Sequence, residues 1–150
     1  MAVVIEQLIE EALQDIVQAD IYVSTNSIPT VRYRDRNTDR KDQHVIVHAA
    51  DLERIAPNAN LYTATCRVGA LSPVKDDLDG SELDDVYQAV YGTVHDMTTT
   101  TLQAAIAAIA AASGITIDGI VIKGGSQFDD DQVSIMSIDF DLFFTYVKPS

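Results

Sequence analysis

Val133–Val147 reads VSIMSIDFDLFFTYV and alternates with a period of two. Met136, Ile138, Phe140, Leu142, Phe144 and Tyr146 fall on one side, and Ser137, Asp139, Asp141 and Thr145 on the other. Successive side chains of a strand point to opposite faces, so this pattern predicts a strand with one buried face. A sheet of that kind needs an apolar cover, and the rest of the chain offers helices to supply it.

The clearest helix is predicted over Val3 to Ala19. Val4/Ile5, Leu8/Ile9, Ala12/Leu13 and Ile16/Val17 recur at steps of three and four, with Glu6, Glu10, Gln14 and Gln18 filling the opposite face. Ile21–Ser24 reads as a short strand closed by Asn26, Ser27 and Pro29. His44–Ala50 and Leu61–Gly69 are strand-like, and the turn-rich Pro57–Asn60 between them suggests a hairpin. A helix is expected from about Ser81 to His95, with Ser81 and Asp84 resembling its N-terminal cap and Asp79 and Glu82 favourable near the dipole's positive end. A second helix is expected from about Thr99 to Ser113, stopped by Gly114. Ile115–Lys123 is a further strand, and GGSQFDDD after it reads as a flexible turn. The expected order is α-β-(arm)-β-β-α-α-β-β. That is one α+β domain over residues 1–150, with a largely antiparallel sheet packed on one face by helices.

At 150 residues with 47% hydrophobic composition, the chain is long enough to bury a core without staples. Cys66 is the only cysteine, so it reads as a small core residue. The N-terminal MAVVIEQLIEEALQ has acids where a secretory signal needs bases, and LQAAIAAIAAASGI is short of the ~20 residues that span a bilayer. The expectation is a chain made and folded in a cytoplasm, without a membrane. Its formal charge of −13 argues against general nucleic-acid binding.

One stretch runs against that charge. Arg32–Gln43, RYRDRNTDRKDQ, holds five of the ten basic residues, Arg32, Arg34, Arg36, Arg40 and Lys41, against three acids. The segment is therefore +2 and the remainder −15. With so little apolar surface it cannot order itself alone, so a basic extended arm at about 25–43 is expected. It suits charge-assisted, bidentate contacts to an acidic partner; the bland alternative is a solvated loop with none.

Catalytic signatures are sparse. His44 and His48 would lie ~13 Å apart on a strand, too far for one zinc ion, and read better as partly buried or interface residues. KDDLDGSE places Lys75 and Val86 where a calcium loop needs its first and last ligands. Asp129, Asp130 and Asp131 read as a solvated acidic loop. Asp139 and Asp141 stand ~6.8 Å apart and read as an acidic exposed face. With no nucleophile elbow, phosphate loop or dinucleotide fingerprint, no enzyme activity and no cofactor are expected.

A leading amphipathic helix, a short strand, a polar arm, a β-hairpin, the helices from Ser81 to Ser113 and a final strand pair ending SIDFDLFFTYV together resemble the tail terminator and tail completion proteins of tailed bacteriophages. The resemblance covers essentially the whole chain and rests on length and element order. This chain departs from the simplest pattern by splitting the middle helical region around Asp96–Thr100. The resemblance implies a virion protein of the tail neck, assembled in the host cytoplasm into a ring, usually a hexamer. The ring would cap the tail tube, end its polymerisation and offer a docking surface to the head-side connector. It implies tail tube protein and connector as partners, with DNA passing through unbound. Arg32, Arg34, Arg36, Arg40 and Lys41 would then reach a neighbouring subunit or the tube. Asp129, Asp130, Asp131, Asp139 and Asp141 would be candidates to line the lumen. Alternatives are a head completion or connector protein of the neck, and a monomeric binding module that holds an acidic partner with the arm.

Overall fold

The computed structural model describes residues 4–33, 42–56, 59–77, 79–130 and 132–149. Its order is α1 (Ile5–Gln18), α2 (Ile21–Thr25), β1 (Thr30–Arg32), β2 (His44–Ala56), β3 (Leu61–Pro73), α3 (Ser81–Asp96), α4 (Thr99–Ile109), β4 (Ile115–Asp129) and β5 (Val133–Tyr146). The strands form one five-stranded sheet in the order β1-β2-β3-β5-β4, antiparallel except for the parallel β1–β2 pair. The fold is α+β with a largely antiparallel sheet, as the alternation at Val133–Val147 requires.

The helices cover one sheet face. Val45, Val47 and Ala49 of β2, Ala64, Cys66, Val68 and Ala70 of β3, and Ile138, Phe140, Leu142 and Phe144 of β5 all point into the core. Leu8, Ile9, Leu13 and Val17 of α1, Val86, Val90 and Val94 of α3, and Leu102 and Ile106 of α4 meet them there. Register locks the layers: Ala49 lies beside Cys66, and Cys66 beside Phe140. A slip of one residue would turn every one of these side chains to water.

Four expectations are corrected. Ile21–Ser24 is the helix α2, not a strand: the Asp20 side chain caps it by accepting from the N–H groups of Tyr22 and Val23. Gly124–Asp129 is not a turn but the second half of β4, paired through to Asp129–Ser134. Pairing with β5 carries the strand through both glycines, with Gly124 at φ 148 beside a register irregularity. The cap of α3 comes from Asp77, which accepts from Glu82 and Leu83, and from Asp79, which accepts from Ser81. Neither Ser81 nor Asp84 supplies it. The fourth helix ends at Ile109, four residues before Ser113.

The polar side of α1 is also not a solvent face. Glu10 is fully buried, and its carboxyl oxygen accepts from the Ala49 N–H at 2.9 Å. Gln14 donates to the Thr30 carbonyl, while Gln18 donates to the Ile28 carbonyl and accepts from the Thr30 N–H. At the opposite edge Gln103 of α4 does the same to β4, donating to Ile115 and accepting from Ile117. The Gln18 and Gln103 amides, each donating to one residue and accepting from the residue two further on, imitate one peptide of a missing neighbour strand, which blunts an edge that could otherwise pair with another chain. Gln103→Ala should lower stability by about 1–2 kcal/mol, from two hydrogen bonds lost at a half-buried site. Amide exchange would check this: Ile117 should lose protection while the β3–β5 amides keep theirs.

Candidate functional site

Helices occupy one sheet face, and among the described residues no helix lies over the side chains of the other parity on the far face. β2 offers Ile46 and His48; β3, Arg67 and Gly69; β5, Ile135, Ser137, Asp139 and Asp141; β4, Val121, Ser126 and Phe128. Nine of the open-face residues line a groove of about 300 Å³: Tyr33, Ile46, His48, Arg67, Gly69, Ser126, Phe128, Ile135 and Ser137. Tyr33 and Phe128 stand 52% and 59% exposed as its flanking aromatics. Gly69 leaves the floor bare, where an added Cβ would press on the Ser137 Cβ at 3.3 Å.

The polar groups of this face are matched to each other. Arg67 holds Asp139 through two bonds of 2.6 and 2.9 Å, and this hydrogen bonding raises the guanidinium's pKa further. Lys123 pairs with Asp141 at 3.0 Å. Ser126 and Ser137 share a hydrogen bond of 2.9 Å, and the Tyr33 ring stacks on His48 with centroids 4.2 Å apart. Lys123 lies in one of two register irregularities of β4, and Asp118, bonded to Thr145 at 2.7 Å, lies in the other. Bulges of this kind re-aim a side chain.

Several expected residues take different places. Asp139 and Asp141 form no acidic exposed face, because each sits beside a cation and is largely covered, with side chains 26% and 17% exposed. Arg32 belongs to the fold rather than to an extended arm. It ends β1 and reaches Glu11 at 2.7 Å. Residues 25–33 are likewise part of the fold. Arg34, Arg36, Arg40 and Lys41 lie outside the described residues, as does Asp131. Asp130 closes the β4–β5 hairpin by accepting from the N–H groups of Gln132 and Val133, and Asp129 accepts from Gln127. His44 is buried and bonded to the Asp42 carbonyl at 2.7 Å.

The groove was not legible in the sequence, since its walls come from the end of β1 and from four strands that meet only through pairing. Its sole local signal is outward parity on each strand. Cys66 lies beneath it on the core side, fully buried, and burial above all pushes its thiol pKa far up, with Asp141 and Glu10 adding to the effect. The thiol is thus neutral in the folded chain. Because an unfolded thiol ionises near pH ~8.5, this contribution to stability is complete below that pH and is lost as pH rises further. Thiol reagents should label Cys66 only at the rate of global unfolding; fast labelling of the native chain would contradict this burial.

Among the described residues, no helix is long and apolar enough to cross a membrane. No family model and no curated protein matches the chain. One solved structure aligns over 96% of this chain and 94% of its own at 15% identity, with a TM-score of 0.46. So distant a likeness adds nothing to the reading of the site.

Proposed function

We propose that this chain is a structural virion protein of the phage tail neck, a tail terminator whose copies form a ring on the end of the tail tube. The observation that carries the reading is a segregation of charge. In a chain of net charge −13, one broad sheet face has no helix over it among the described residues, and its carboxylates Asp139 and Asp141 are offset by Arg67 and Lys123. Half of its bases lie in the segment that begins at Arg32. Like-charged subunits can pack side by side only through surfaces of that kind, because unmatched carboxylates brought together repel. Function is then geometric. One side of the ring complements the growing tube end, and the opposite side cannot template another tube ring but receives the connector.

The groove's polar groups suit this non-catalytic role. The two serine hydroxyls are bonded to each other, and His48 faces a tyrosine ring. Arg34, Arg36, Arg40 and Lys41 supply the contacts to an adjacent subunit or to the tube, as their composition suggests. For the lumen, Asp129 at the hairpin end is a better nominee than the ion-paired Asp139 and Asp141.

Negative-stain microscopy of the purified chain, alone and with polymerising tail tube protein of the same phage, tests the proposal. Rings, or tubes capped at one end and arrested in length, are the expected result. Uncapped tubes that keep growing beside free monomers would overturn it in favour of a connector or a binding module.

A further inference from the structure

The most exposed large apolar side chain described is Ile21, at 83%, with Tyr22 beside it at 37%. Both project from α2, which is anchored by the fully buried Val23 and rests on α1 and α3. They therefore stand on the helical side of the molecule. Acids surround them: Asp20 caps α2, and Asp85 and Glu82 of α3 lie near enough to add to the upward shift of the Tyr22 phenol that partial burial begins. A protruding isoleucine on an acidic surface is poorly placed for water and poorly placed for a like surface on another copy.

The open-face groove is its physical opposite. It is concave, flanked by Tyr33 and Phe128, floored by Gly69 and about 300 Å³ in volume. Small-molecule pockets run from about 300 to 1,000 Å³, so this one lies at the bottom of that range and suits one or two protruding side chains better. Its margin carries the 58% exposed side chain of Arg67, and Lys123 stands 57% exposed on the same face. We propose that Ile21 and Tyr22 of one copy seat in the groove of a second copy, so that the chain associates head to tail.

Charge decides the occupant. An isologous contact would set Asp20, Glu82 and Asp85 against their own counterparts, whereas the groove offers a charge-matched margin with the exposed cations Arg67 and Lys123. Knob and groove lie on opposite sides of the sheet, so the contact is heterologous. Heterologous contacts run on as a filament or close into a ring. Closure to a ring rests on the function proposed above; the contact itself does not.

Two variants with one added cysteine each test it, I21C and F128C, with native Cys66 kept because its burial keeps it silent. They are oxidised with diamide separately and mixed, with and without tail tube protein, at concentrations where sedimentation shows association. A disulfide dimer should form in the mixture and in neither variant alone. Ile21→Asp should weaken association at least tenfold and leave the thermal midpoint unchanged, since Ile21 contributes little to the core. Assemblies that form without the mixed disulfide, or that link I21C to itself, would overturn this contact and leave the ring reading standing. A chain that stays monomeric under every condition, tube protein included, would overturn both.

Discussion

Phe140→Ala is expected to lower the free energy of unfolding by about 3–5 kcal/mol, the usual range for deleting a fully buried aromatic ring. Phe140 has no exposure and lies on β5, the strand that pairs with both β3 and β4. Cys66 is its register partner on one side and Ile122 on the other. Neighbours held by two ladders cannot collapse into the space left behind, so the cavity term persists. Domains of this size are stable by about 5–15 kcal/mol, and the loss would consume a large share of that. The denaturant midpoint should fall with an unchanged slope. Phe128→Ala is the internal control. That ring is 59% exposed at the groove, so its removal should shift stability by no more than about 0.5 kcal/mol. Equal losses from the two variants would contradict the assignment of core and open face.

Gly114→Ala should cost about 3 kcal/mol or more, for two separable reasons. Gly114 has φ 80, and a side chain there bears about 1–2 kcal/mol of left-handed strain. An added Cβ would also collide with the Val147 carbonyl oxygen. That collision displaces the chain end, whose Val147 N–H donates to the Gly114 carbonyl at 2.9 Å and ties the end of β5 to the start of β4. Gly80→Ala separates the two effects. Gly80 has φ 76 but nothing within 4 Å of its would-be Cβ, so it should show the strain alone. Thermal unfolding of both variants checks the difference. If they are equally destabilised, the Val147 contact contributes nothing.

The functional surface was less legible than the fold. Charged neighbours in sequence make Arg32 look like part of an arm, yet its guanidinium meets Glu11 of the first helix. Asp139 and Asp141 look like an acidic face in sequence because neither Arg67 nor Lys123, their partners in space, is near them along the chain. Ile21 fits a strand by sequence alone, yet it is the exposed apolar residue that opens a short helix. Five residues carry too few repeats for a period of two to be told from one of 3.6, and the cap at Asp20 settled the matter.

By itself the sequence determined the α+β class, the buried face of Val133–Val147, the long N-terminal helix and the central hairpin. Each follows from side-chain periodicity, because every apolar residue in a regular element must share one face to escape water. Tertiary structure alone decided what lies against the polar residues. Glu10, Gln14 and Gln18 read as the polar face of the first helix, yet they and Gln103 meet the bare N–H and C=O groups along the sheet's two edges. Polarity records only that a side chain needs hydrogen-bonding partners. Water and an unpaired strand edge satisfy that need equally, and only the packing of distant segments chooses between them.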